Sequence, residues 1–322
     1  MNVVSLFNGM NTGRQALENV GIKVNKYYSS EIKPYAIELT QHHFPDTIQV
    51  GDVTKWCDWD IDWKSIDLIL SGSPCQDLSA AGKREGINGA KSSLFFTFVD
   101  ILNHCKNLNP NVLFLQENVG SASKLDVGIM SRALGVYPCR INSKLVTAQL
   151  RDRYYWSNIK TKETMFDIVT DIPKPKDRKI MFKDIITDGN VKKLKANCLL
   201  EGTISKHNFK DNLSENAQNY LKSREGFISL IYVDTDKHTC LNTGSGKSSS
   251  QRYLKHRNET TGMITLIYEN EIVRTVNQIE MERLQGFPDG YTSILSKSKA
   301  GSLLGDGWTL PIIEHIFSFI KH

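Results

Sequence analysis

Five short strand-like runs, separated by helix-length segments, each stop at a glycine or an acid. They are Val3–Phe7 before Gly9, Lys23–Ser29 before Glu31, Thr47–Val50 before Gly51-Asp52, Ile66–Leu70 before Gly72, and Asn111–Leu115 before Glu117. The segments from Arg14 to Val20, Pro34 to His42 and Ser92 to Leu108 read as helices between them. Strand and helix in alternation predict an α/β fold built on a mostly parallel sheet. Ligands of such sheets bind just beyond the carboxyl ends of the strands. Whatever chemistry this chain performs is therefore expected where those runs stop.

The first strand end carries Phe7-Asn8-Gly9-Met10-Asn11-Thr12-Gly13. Glycine lets a backbone approach a ligand closely, and the following helix start offers free N–H groups. The G-x-x-x-G spacing differs from the dinucleotide fingerprint G-x-G-x-x-G, and a plain turn fits this stretch equally well. Glu31, about 20 residues on, suits a ribose diol, although a carboxylate capping the next helix reads the same way. Asp52 at the third strand end suits an exocyclic amine of an adenine ring. Gly, Glu and Asp on three successive strand ends point to a nucleoside-type cofactor.

The fourth strand runs into Ser73-Pro74-Cys75-Gln76. A cysteine past a strand end, framed by a proline, is a candidate nucleophile; a lone buried thiol is the plain alternative. Residues 77–90, with Gly82, Gly86 and Gly89, read as a loop able to close over a substrate. In Gln149-Leu150-Arg151-Asp152-Arg153, the alternating polar residues would share one side of an extended segment. Arg140–Val146 and Tyr154–Ile159 read as flanking strands, Gln278–Gln285 as a helix stopped by Gly286, Leu304–Trp308 as a tight turn, and Pro311–Phe319 as a last helix.

Charge is uneven. The chain carries a net +5, and residues 161–270 hold 18 Lys and Arg against 14 Asp and Glu. A mildly basic region permits a polyanionic partner, and a solvated Lys-rich surface has the same composition. Gly246-Lys247-Ser248 lacks the preceding glycine spacing of a phosphate loop; it reads as a flexible basic loop along a nucleic-acid backbone, and a plain disordered loop fits nearly as well. The six cysteines form no C-x-x-C pair, which argues against structural zinc. No secretory signal or apolar run of membrane-spanning length is expected, and free thiols in a reducing compartment are.

Together these segments resemble the DNA cytosine-5 methyltransferase family. The specific motifs are Ser73-Pro74-Cys75-Gln76, Glu117-Asn118-Val119, Gln149-x-Arg151-x-Arg153 and Arg283-Leu284-Gln285-Gly286-Phe287-Pro288, in family order. Ser5-Leu6-Phe7, Tyr155-Trp156-Ser157-Asn158 and the stretch from Leu304 to Pro311 look most like the de novo branch of animals. The short middle region fits a compact bacterial or phage member. The resemblance implies a Rossmann-like S-adenosylmethionine-dependent methyltransferase fold: a mixed, mostly parallel sheet with helices on both faces, plus a smaller inserted domain. Residues 1–160 and 271–322 would form the catalytic domain and 161–270 the target-recognition domain.

It further implies methyl transfer to C5 of cytosine through a Cys75 adduct at C6, with base flipping, and S-adenosylhomocysteine as product. Glu117, Arg151 and Arg153 would assist Cys75. Phe7, Asn8, Gly9, Thr12, Gly13, Glu31, Ile32, Asp52, Val53, Ser73, Pro74, Leu94, Gly307 and Trp308 would hold the cofactor. Gln76, Ser79, Asn118, Gln149, Lys247 and Arg252 would meet the substrate, double-stranded DNA, with no metal and no membrane. A cytoplasmic, nucleoid-associated monomer is the expectation, with the oligomeric state open. Asn8 departs from the acid of the de novo branch, and Asp306 stands where relatives carry Asn or Arg near the cofactor's carboxylate. The rivals are an RNA cytosine methyltransferase, whose Cys-Phe-Thr signature is missing here, an enzyme resembling thymidylate synthases, and a silent DNA-binding regulator.

Overall fold

The computed structural model describes residues 1–74, 94–191, 194–196, 198–199, 229–232, 265–267 and 276–321. Seven strands form one sheet: β1 (Asn2–Leu6), β2 (Lys26–Ser30), β3 (Ile48–Gln49), β4 (Leu68–Ser71), β5 (Leu113–Val119), β6 (Cys139–Asn142) and β7 (Asp152–Ser157). Their spatial order is β3-β2-β1-β4-β5-β7-β6. The first five are parallel to one another, and β7 runs antiparallel to both β5 and β6. The order reverses at β1, which has β2 on one side and β4 on the other. Such a switch point opens a crevice at the strands' carboxyl ends.

The strands alternate between two buried faces, as successive side chains in a strand must. Val4, Leu6, Tyr28, Ile69, Phe114 and Trp156 join Phe95, Phe98, Ile101 and Leu102 of helix α3 (Leu94–Leu108) and Met130 and Leu134 of helix α4 (Lys124–Leu134) in one core. On the opposite face, helix α1 (Thr12–Asn19) lies on Leu70 and Tyr27. A Cβ at Gly13 would stand 2.4 Å from Leu70 Cδ1 and 3.0 Å from the Tyr27 hydroxyl, so a side chain there would have to displace those two. Helix α2 is Pro34–His43, with proline in its first turn. A hairpin of β8 (Thr161–Glu163) and β9 (Ile168–Thr170) follows β7.

By contacts the chain divides into two compact units. The first is Met1–Asn142, Asp152–Lys176 and Gly307–His322; the second is Ser143–Arg151 and Asp177–Asp306. The second unit contains a three-stranded sheet of β10 (Asn190–Val191), β11 (Ser229–Tyr232) and β12 (Thr265–Ile267). It also contains helices α5 (Gln278–Gln285) and α6 (Lys297–Asp306), which pack on each other. Helix α7 (Leu310–Phe317) belongs to the first unit and packs on α1. These boundaries are boundaries of compactness and differ from the sequence division at 160 and 271.

Two local expectations change and one holds. The strand expected over Arg140–Val146 ends at Asn142, because residues 143–145 turn and the Ser143 N–H donates to the Arg151 carbonyl at 2.8 Å. Leu304–Asp306 is the last turn of α6 and not part of a tight turn, since Ala300, Leu303 and Leu304 are buried at helical spacing. Helix α5 does stop at Gly286, which is left-handed (φ 79°), as expected.

Candidate active site

Register places the site. Leu6 pairs with Ser30 and with Ser71, and Ser71 pairs with Gln116. The next residue of each strand is therefore Phe7, Glu31, Gly72 and Glu117, in one rank across the carboxyl edge. Neighbouring strands are about 4.8 Å apart, so these four span a crevice of nucleoside size.

The chain leaves β1 in a tightly wound loop. Phe7 (φ 54°), Gly9 (φ 59°) and Asn11 (φ 64°) are all left-handed. For Phe7 that conformation is rare and costs energy that the surroundings must offset. Glu31 pins the loop: its Oε2 accepts from the Gly9 N–H at 2.8 Å, while Oε1 accepts from the N–H groups of Ile32 and Lys33 at 2.8 and 2.9 Å. Glu31 thus tethers the loop and holds the backbone that leads into α2. Asn8 accepts from the Tyr27 hydroxyl at 3.3 Å and donates to the Thr40 hydroxyl at 3.5 Å. Thr12 and Gly13 are buried at the start of α1.

Ile32, next to Glu31, is 71% exposed, an apolar side chain facing open space at the sheet's edge. Asp52 is exposed while Val53 beside it is buried. Asp52 Oδ1 accepts from the Thr54 N–H and hydroxyl, both at 2.9 Å. Those bonds hold its carboxyl below the usual carboxylate range, so it stays an ionised acceptor. Leu94 opens α3, half-buried.

At the β4 end, Ser73 is clamped. Its hydroxyl accepts from Gln116 Nε2 at 2.9 Å and Asn118 Nδ2 at 3.3 Å, and Asn118 also accepts from the Val119 N–H. Gln116 and Asn118, two residues apart on β5, share a side and fix the turn that leads through Pro74. Sequence reasoning placed Asn118 against substrate and passed over Gln116; alternation about Glu117 was the available signal. Cys75, Gln76, Ser79, Lys247, Arg252 and the 77–90 loop lie outside the described residues.

Glu117 is 8% exposed. Its Oε1 pairs with Arg153 Nε at 2.8 Å, and its Oε2 accepts from the Trp308 indole N–H at 3.1 Å. Trp308, just after Gly307, rests on Gly72, where a Cβ would stand 2.8 Å from the indole nitrogen. Gly72 is a second residue missed in the sequence, where it read only as a strand stop.

Arg151 and Gln149 are engaged within the second unit. Arg151, 2% exposed, donates to the carbonyls of Leu199 (3.2 Å), Gly305 (3.1 Å) and Asp306 (3.5 Å). Gln149 accepts from the Leu199 N–H at 2.8 Å and donates to the Leu284 carbonyl at 3.0 Å. Both reach Leu199, through its N–H and its carbonyl, and Arg151 also donates to Cys198 Sγ at 3.2 Å. Among the described residues no group of three His, Cys, Asp or Glu is placed to hold a metal, and no helix is long and apolar enough to cross a membrane.

Comparison with known proteins adds the family. The orphan methyltransferase M.SPRI of Bacillus phage SPR is 30% identical over 260 residues, 75% of this chain and 54% of that protein. The type II methyltransferase M.HpaII of Haemophilus parainfluenzae is 27% identical over 328 residues, 97% of this chain and 86% of that protein. This chain thus spans about half the length of the phage relative. A crystal structure of a DNMT2 mutant from Spodoptera frugiperda shares the fold, with a TM-score of 0.58 at 15% identity over 99% of both chains. The family model described as C-5 cytosine-specific DNA methylase matches residues 1–322, and the chain belongs to that family.

Proposed function

We propose that this protein transfers a methyl group from S-adenosylmethionine to C5 of cytosine in double-stranded DNA. The observation that carries the reading is the buried Glu117 carboxylate, held by Arg153 and Trp308 one strand away from the Ser73-Pro74 turn into Cys75. Family membership over the whole chain supports it.

The residues beyond β1, β2 and β3 fit the cofactor. Glu31 offers carboxylate oxygens for a ribose, the ionised Asp52 an acceptor for an adenine amine, and the exposed Ile32 an apolar surface for the ring. Phe7, Gly9 and Trp308 would line the remainder. When bound there, S-adenosylmethionine supplies a methyl group on a sulfonium and departs as S-adenosylhomocysteine.

Cytosine C5 is a poor nucleophile until something adds to C6. The Cys75 thiolate adds its electron pair there, which gives C5 the electron density to take the methyl. Glu117, once protonated, gives its proton to N3 and accepts from the exocyclic amine, offsetting charge as the ring is attacked, and takes that proton back when the thiolate leaves. Loss of the C5 proton to a base then restores the C5–C6 double bond and expels the thiolate. The target base must leave the duplex first, at a cost of a few kcal/mol. Arg153 acts on Glu117, and Arg151 holds the segments around residues 199 and 305. Residues 161–270 serve as the target-recognition region, and 1–160 with 271–322 as the catalytic part.

Cys75→Ser tests the scheme: methyl transfer to DNA is lost while S-adenosylmethionine binding is retained. Loss of both would make Cys75 structural and overturn the assignment.

A further inference from the structure

We propose that Trp308 is a positioning residue for Glu117, fixing through its indole N–H the carboxylate that must meet the target base. This rests on the methyltransferase reading above and goes beyond a role for Trp308 as a wall of the cofactor site.

The geometry is a carboxylate held at both ends. Arg153 Nε reaches Oε1 at 2.8 Å and Trp308 Nε1 reaches Oε2 at 3.1 Å. A carboxylate oxygen has two lone pairs, so each oxygen keeps one acceptor site while its plane is set by two donors. A single donor would leave the group free to rotate about its terminal torsion, which has broad minima.

The indole is itself tightly placed. It lies on Gly72, where a Cβ would stand 2.8 Å from Nε1 and 3.3 Å from Cε2. Thr309 begins α7 directly after it, and α7 is packed on α1. Gly72 in turn leads through Ser73 and Pro74 to Cys75. One side chain from the far end of the sequence thus touches the acid of β5 and the strand end that carries the nucleophile. A tryptophan that served only as an apolar wall would not need its nitrogen aimed at a buried carboxylate.

Trp308→Phe keeps an aromatic ring but loses the N–H donor with its five-membered ring; Trp308→Leu removes the aromatic ring as well. A hydrogen bond to a charged group is worth about a factor of ten or more. The Phe variant is expected to lose about tenfold in kcat with KM for S-adenosylmethionine changed less than about twofold, whereas the Leu variant also raises that KM. A Phe variant with undiminished kcat, whatever its KM, would overturn the proposal and leave Trp308 as a wall.

A second measurement stands apart from activity. In protein carrying nitrogen-15 indoles, the Trp308 N–H resonance, identified by its loss in Trp308→Phe, is expected to move on Glu117→Gln. An unmoved resonance would show that the contact does not exist. If the parent protein methylates no DNA, the functional reading falls, and this resonance alone decides whether Trp308 holds Glu117.

Discussion

Tyr27 lies fully buried on β2, its hydroxyl donating to Asn8. Burial pushes its phenol above the ordinary value of 10.0, outweighing the nearby Arg14. The neutral form is favoured in the folded state, so this contribution to stability is complete below about pH 10 and is lost as pH rises toward the folded-state value. Tyr27→Phe is therefore expected to flatten the alkaline limb of a stability–pH curve measured by urea unfolding. An unchanged limb would mean that Tyr27 does not titrate with unfolding. The same residue shows what a sequence hides. Asn8 read as a departure from a family acid, but its partners, Tyr27 and Thr40, are 19 and 32 residues away and become visible only after β2 and α2 dock. Glu31, Asp52 and Glu117 were legible because each follows a strand-like run. The bonds that Gln116 and Asn118 make to Ser73 were not, since they cross from β5 to the end of β4.

Among the elements, β5 and β7 depend on a close backbone approach. A Cβ at Gly120 would stand 2.8 Å from the Asp152 carbonyl oxygen, whereas one at Gly13 meets side chains. A side chain can yield by changing rotamer; a paired strand cannot. Gly13→Ala should cost about 1–3 kcal/mol, the usual range for overpacking. Gly120→Ala should cost at least as much and also lower kcat, because the β5–β7 pairing sets Glu117 beside Arg153. Urea midpoints for the two variants and kcat for Gly120→Ala check this, and an unchanged kcat would contradict it. Strand and helix order was readable from apolar runs and their stops. Helix α6 was misread at its end because Gly305 and Gly307 suggested a turn. Buried neighbours at helical spacing outweighed the weak propensity of Gly305.

For the molecule as a whole, a net charge of +5 suits a polyanionic partner such as DNA. Affinity for unmodified duplex should fall steeply with salt, by a log–log slope of about −0.9 for each phosphate neutralised. A flat response would remove the polyanion from the account of residues 161–270. The fold class and family could be read from four motifs in order along the chain. The side-chain partners of Arg151 could not, because an arginine beside carbonyls from residues 199, 305 and 306 looks in sequence like one free for substrate. The most direct test of the central claim is transfer of labelled methyl from S-adenosylmethionine to unmethylated genomic DNA, mapped at base resolution. The expected result is label at C5 of cytosine in one short sequence context. Label on tRNA instead, or binding of DNA with no transfer at all, would contradict it.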